Sequence, residues 1–277
     1  MAVNEPFVSG VVKFGGRPEQ NLLRVNIVGL CTIVNREIRR VTRIWVQTIV
    51  PPAITMTLYF VIFGSLIGQR IGNMDGVPYM TFIAPGLIMM AVITNSFGNV
   101  VSSFFSGKLH RHLEEMLVSP LVFPTIVAGF VIGGVVRGLS VAALVTVVAL
   151  MFTELSIVHP FITLSVVVLT SMVFSLAGLL NAIFAKNFDE ISIIPTFVLV
   201  PLTYLGGVFF SISLLSDTWQ TVARLNPILY MVNAFRYGML GSSDIPIAMA
   251  YAIICIALVT LYTIVLIFLN RGTGIRT

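Results

Sequence analysis

A chain of 277 residues that is 57% hydrophobic and only 10% charged lacks the polar surface to cover a water-soluble globule, so its solvent is lipid. Its mean hydropathy is +1.01. The net charge of +5 does not point to nucleic acid, because the cations sit beside apolar runs and form no basic domain of their own. Cys31 and Cys255 have no metal-ligand companions, and His110, His112 and His159 are not spaced as a ligand set, which argues against a structural disulfide and against a metal site.

In chain order, residues 1–21 hold Pro6, Gly10, Gly15, Gly16 and Pro18 without a sustained period and read as a tail, with no cleavable signal peptide. From Leu30 a helical pattern begins. Leu30, Val34, Ile38, Val41 and Trp45 share one face, while Arg36, Arg39, Arg40 and Arg43 crowd the other. This reads as an amphipathic interfacial helix feeding the first span, and equally as a topology signal; residues 1–44 form the N-terminal unit and 45–277 the membrane domain.

Six apolar runs follow, at 45–66, 82–105, 126–152, 161–185, 193–210 and 247–269, each near the ~20 residues that a helix needs to cross ~30 Å of hydrocarbon. Without water, every backbone amide must be satisfied internally, and runs with no period-2 alternation choose helices over a barrel. The fold class is therefore an all-α polytopic membrane protein with six spans. Of 16 basic residues, 12 lie before run one, between runs two and three, between four and five, or after six, which places both termini in the cytoplasm.

Pro51 and Pro52 fall in the first turns of span one, and the loop after it (Arg70, Asn73, Asp75, Gly76, Pro78) is short and rich in turn formers. Span two carries Asn95, Asn99, Ser102, Ser103 and Ser106 at helical spacing, a stripe that either glues helices or lines a route. Residues 107–120 form a short charged helix bounded by Gly107 and Pro120. It has Leu109, Leu113, Met116 and Leu117 on one face and Arg111, Glu114 and Glu115 opposite, which reads as a docking surface or as a helix resting on headgroups. Arg137 is the one charge well inside a span. A cation there must face protein or water, paired structurally or held for substrate.

Span five, with Pro195, Thr196, Pro201, Thr203, Gly206 and Gly207, is a breakable helix, either mobile or closely packed. Residues 211–246 are too apolar for a free loop and too interrupted to span, which predicts two short helices broken at Asn226-Pro227 and dipping back into the membrane.

No phosphate-cradling Gly-x-x-x-x-Gly-Lys loop exists, since Ser102 stands where its first glycine belongs before Gly107-Lys108, so any ATP is bound by another chain. No nucleophile, base and orienter set is present either, and no acid lies in a span, which weakens a proton-coupled pump. A self-sufficient channel or ion-coupled carrier is the alternative reading.

Leu199, Leu202, Leu205, Gly206, Val208, Leu215, Ser216, Pro227, Ile228, Tyr230 and Arg236 resemble, in type and spacing, the signature of the type-2 ABC transporter permeases, the membrane subunits of bacterial exporters of the polysaccharide, nodulation-oligosaccharide and drug-efflux group. The resemblance implies the ABCG-like exporter fold, with an interfacial helix, a coupling helix after span two and re-entrant helices before span six. It also implies a non-catalytic inner-membrane subunit that pairs with a second copy of itself and with two copies of an ABC ATPase holding ATP and Mg. By that analogy the helix 108–118 docks on the ATPase through Lys108, Leu109, Arg111, Leu113, Glu114, Glu115 and Met116, braced by the helix bearing Arg36, Arg39, Arg40 and Arg43. The route would draw on Asn95, Asn99, Ser102, Arg137, Thr196 and Thr203, with Phe97, Phe104, Tyr204 and Phe209 as rings along it. The cargo expected is amphipathic, lipid-linked or glycan-like.

Overall fold

The computed structural model describes residues 22–272, so the tail expected over 1–21 lies outside the described residues. Helix α1 (Leu22–Arg43) starts earlier than the expected Leu30 and lies lengthwise along α6 (Phe123–Leu150). The Asn26 side-chain oxygen accepts hydrogen bonds from the Val122 amide and the Thr125 hydroxyl, both at 3.0 Å. A methyl group on Gly129 would meet Ile33 at 2.5 Å, and one on Gly133 would meet Glu37 at 2.7 Å. Each of Asn26–Val122, Ile33–Gly129 and Glu37–Gly133 is offset by 96 residues (122 − 26, 129 − 33, 133 − 37), so the two helices run side by side in the same direction. Small residues four apart let the backbones approach this closely. The buried face of α1 is therefore Ile33, Glu37 and Val41, and it is rotated from the apolar stripe read in the sequence, leaving Ile38 exposed.

The first span is α2 (Trp45–Tyr59), which carries Pro51 and Pro52 and passes through a π-helical stretch, Phe60–Ile67, into α3 (Gly68–Ile71). A two-residue hairpin follows, with β1 (Asn73–Met74) antiparallel to β2 (Val77–Pro78) and Met74 opposite Val77. Asp75 and Gly76 both take positive φ in its turn, the backbone that an Asp-Gly hairpin turn demands.

The hub is α4 (Tyr79–Leu109), whose most apolar window is 72% buried, against 11% for span five. It packs chiefly on α6 and α7 (Pro160–Phe184). A Cβ at Gly178 of α7 would stand 2.5 Å from the Phe97 carbonyl, so the close α4–α7 approach requires glycine there. Beyond α4 the chain turns into the short α5 (His112–Val118).

Span five is α8 (Phe188–Ile194), a π-helical stretch Pro195–Leu199 and α9 (Val200–Leu205), five residues earlier than the apolar run 193–210 suggested. Its start is fixed by Asn187, whose side chain accepts from the Glu190 amide at 2.8 Å while Glu190 reaches back to the Lys186 amide at 2.8 Å, a reciprocal N-terminal cap. Its end is set by Gly206-Gly207, with Gly207 at φ +73. After a turn of 3-10 helix at Ile212–Leu214 come α10 (Asp217–Arg224) and α11 (Pro227–Leu240), the two short helices expected, broken at Asn226-Pro227. Asn226 caps α11 by accepting from the Ile228 amide at 3.0 Å, and Pro227 sits at the first helical position, where its missing N–H costs nothing. Helix α12 (Ile247–Arg271) closes the fold. In all, six helices are long and apolar enough to cross a membrane, at Trp45–Gly64, Tyr79–Leu109, Phe123–Leu150, Pro160–Phe184, Phe188–Leu205 and Ile247–Arg271 among the described residues.

Candidate functional site

At the arginine-rich end of the bundle, α1 turns Glu37 inward until its side chain is 1% exposed. One carboxylate oxygen accepts from Arg36 at 3.2 Å and from the Ser103 hydroxyl at 2.7 Å; the other accepts from Arg40 Nη2 at 3.3 Å and from Arg40 Nε at 3.4 Å. A buried carboxylate is tolerated only when its lone pairs are met by donors, and here they are. Arg40 reaches further, donating to the Asn99 side-chain oxygen at 2.7 Å, the Asn99 carbonyl at 2.9 Å and Ser102 at 3.4 Å. Arg137 donates to the Asn95 side-chain oxygen at 3.3 Å, one turn along α4 from Asn99. The polar stripe of span two is thus the receiving surface for α1 and α6.

Though midway along α6, Arg137 faces the same cavity as Arg40, and Arg40 precedes Trp45, the start of the first apolar span, by five residues, about 7.5 Å of helix.

The neighbouring α4–α5 junction is compact. The chain turns at Arg111, a non-glycine residue with φ +60, so α5 begins at His112. Lys108 and Leu109 belong to the end of α4, which shortens the docking helix expected over 108–118. Lys108 Nζ donates to the carbonyls of Ile183 at 3.0 Å, in the last turn of α7, and Ala185 at 2.9 Å, just beyond it. Leu113 anchors α5 in the core, and Met116 meets Arg36 of α1 through its sulfur at 3.8 Å. Glu114 and Glu115 are exposed in the first turn, where the helix dipole favours acids.

At the opposite end the signature residues converge. Arg236 of α11 is 2% exposed; it donates to the Gly207 carbonyl at 2.7 Å and lies 3.9 Å over the Phe82 ring. Burial lowers its pKa, while Asp244 and Asp75 raise it. The Asn226 amide donates to the Leu202 carbonyl at 2.6 Å, Tyr230 to the Arg224 carbonyl at 2.7 Å, and a Cβ at Gly206 would stand 2.8 Å from Ile228. The re-entrant pair is clasped to the end of span five by these contacts.

The profile of the ABC-2 type transporter family matches residues 29–240, more than half of the chain, from within α1 to the last residue of α11. The chain belongs to the ABC-2 type transporter family. It is 54% identical over 251 residues to the inner membrane transport permease YadH of Escherichia coli (strain K12), covering 90% of this chain and 98% of that one. It is 26% identical over 218 residues to nodulation protein J of Neorhizobium galegae, covering 77% and 82%, and 26% identical over 194 residues to nodulation protein J of Sinorhizobium fredii (strain NBRC 101917 / NGR234), covering 70% and 74%.

In this ABC-2 permease the structure gathers only part of the expected route. Asn95, Asn99, Ser102 and Arg137 come together at the arginine-rich end. Thr196 is exposed on span five, and Thr203 is buried and spends its hydroxyl on the Leu199 carbonyl at 2.7 Å. Of the four rings, Phe97 and Phe104 are sealed in the core. Tyr204 and Phe209 stack at 5.5 Å and join Tyr59, whose hydroxyl lies 3.0 Å from that of Tyr204. Glu37 is the participant that the sequence reading missed. Its signal was present: a lone acid among four arginines, spaced four residues from both Ile33 and Val41.

Proposed function

We propose that this permease is the membrane subunit of an ATP-driven exporter in the bacterial inner membrane. Both termini face the cytoplasm, two copies pair, and each copy is driven by a separate ABC ATPase that holds ATP and Mg. The observation that carries this reading is α5, a helix too short to span, anchored by Leu113, offering Glu114 and Glu115 to solvent and tied to both α1 and α4. A mere connector would need neither the anchor nor the tie. Movement of the partner ATPases displaces α5, and α4 and span five respond by switching access to a site between the two copies. The weakly buried spans one, five and six leave apolar surface for lipid and for the second copy. The cargo on this reading is amphipathic, lipid-linked or glycan-like.

The test is a Glu114→Arg, Glu115→Arg double variant of the permease co-expressed with its ATPase. Both residues are exposed, so the permease should retain its yield and thermal midpoint while ATPase capture and cargo-stimulated hydrolysis fall at least tenfold. Capture and hydrolysis equal to wild type would sink the docking assignment. Uphill transport by vesicles holding this chain alone would favour a self-sufficient carrier instead.

A further inference from the structure

The surface at the arginine-rich end forms an open-mouthed cavity of about 1140 Å³. Arg36, Arg39, Arg40, Arg43 and Arg137 line it with a single carboxylate, Glu37, giving a formal charge of 5 − 1 = +4. That carboxylate is spent, since both its oxygens are taken by Arg36, Arg40 and Ser103. Arg39 and Arg43 make no side-chain hydrogen bond or ion pair among the described residues, and Arg137 keeps a buried Nε with no partner. Arg36, Arg39 and Arg43 stay exposed at the mouth, while Arg40 and Arg137 are half-buried, and all five border one concavity. The charge left after the Glu37 pairs favours entry of an anion there.

We propose that this cavity binds the anionic head of an amphipath that ends in a terminal phosphate. The proposal rests on the exporter reading for its meaning, since in an exporter this is where cargo loads. Two features of the lining select that chemistry. A terminal phosphate offers three unesterified acceptor oxygens to guanidinium forks arriving from different helices, whereas a carboxylate offers two. The cavity wall also passes directly into apolar surface: Ile44 at the foot of span one leads to exposed Val46, Val50 and Ile54, and Phe188 at the foot of span five leads to exposed Ile193 and Phe197. A head seated among the arginines leaves a hydrocarbon chain free to lie along either face, at the depth where headgroups reside.

The same phosphate chemistry can come from a lipid or from a soluble anion, and binding isotherms separate the two. The full-length permease, without its ATPase, is titrated in detergent micelles at fixed ionic strength with dioctanoyl phosphatidic acid, with inorganic pyrophosphate and with dioctanoyl phosphatidylcholine. Phosphatidic acid should bind saturably and phosphatidylcholine should not. The Arg39→Gln, Arg43→Gln double variant and Arg137→Gln should each weaken phosphatidic acid binding about tenfold or more, with Arg137→Lys weakened less. Arg39 and Arg43 have no side-chain bond to lose, so unchanged thermal midpoints keep that double variant interpretable.

Pyrophosphate binding as tight as phosphatidic acid would support the phosphate site with a soluble source; binding about a hundredfold weaker would support it with a lipid source. Phosphatidic acid and phosphatidylcholine binding alike, neither anion binding, or the double variant binding like wild type would overturn the proposal and leave the arginines to topology or to an acidic protein surface. Because the ATPase is absent, such a failure would leave the Glu114 and Glu115 test untouched.

Discussion

Arg236 and Arg137 are both drawn into this bundle, and their surroundings differ in kind. Arg236 is sealed: its guanidinium is pressed on Phe82, one nitrogen holds the Gly207 carbonyl, and two others have no hydrogen-bond partner. Arg137 is half-buried, bonded once to Asn95, and faces a cavity shared with four more arginines. A sealed cation fixes backbone segments to one another, and an open one waits on a partner from outside the chain. The family signature falls on the first kind, so it records how the re-entrant helices are clasped to span five.

That contrast can be broken by experiment. Arg236→Ala removes a desolvated cation–π contact worth about 2 kcal/mol and a charge-assisted hydrogen bond worth about 1.5–3 kcal/mol, so a loss of roughly 3 kcal/mol is expected as a lowered thermal midpoint in detergent. Arg236→Lys should recover little, because an ammonium cannot both lie flat on Phe82 and reach Gly207. An unchanged midpoint would mean that the clasp is not structural.

The effect of Glu37→Gln is smaller. An amide cannot neutralise Arg36 and Arg40, so about 2 kcal/mol should be lost, again read as thermal midpoint, while phosphatidic acid binding strengthens as the cavity loses its only carboxylate. Destabilisation without tighter anion binding would make Glu37 a packing residue alone.

Arg137→Gln should cost least, below about 1 kcal/mol, since it forfeits a single 3.3 Å hydrogen bond from a half-buried side chain. A midpoint drop as large as that of Arg236→Ala would erase the distinction between the two arginines.

Much of the architecture was legible because lipid imposes it. Run length and the absence of period-2 alternation forced six helices, and Asn226-Pro227 with its interrupted apolar flanks marked the re-entrant pair. Span five was displaced because hydropathy weighs Phe209 and Phe210 alike with the core, whereas its true limits come from the Asn187 cap and the positive φ of Gly207. The face of α1 was misjudged for a related reason. A hydropathy wheel assigns Glu37 to water, yet Gly129 and Gly133 let α1 approach α6 so closely that the acid is enclosed and Arg40 follows it inward, while Arg36 reaches it from the surface. No local pattern in α1 announces glycines 96 residues away. Thr203 misled for a simpler cause: a helical threonine can satisfy its hydroxyl on its own backbone and take no part in a route.

The ammonium of Lys108 has a mechanical corollary. By holding the carbonyls of Ile183 and Ala185 at the foot of α7, it rivets that helix to the hub just before the left-handed corner at Arg111. Lys186 and Asn187 then lead straight to the root of the span with the least burial. On the exporter reading proposed above, a push on α5 would reach α4, α7 and that span together.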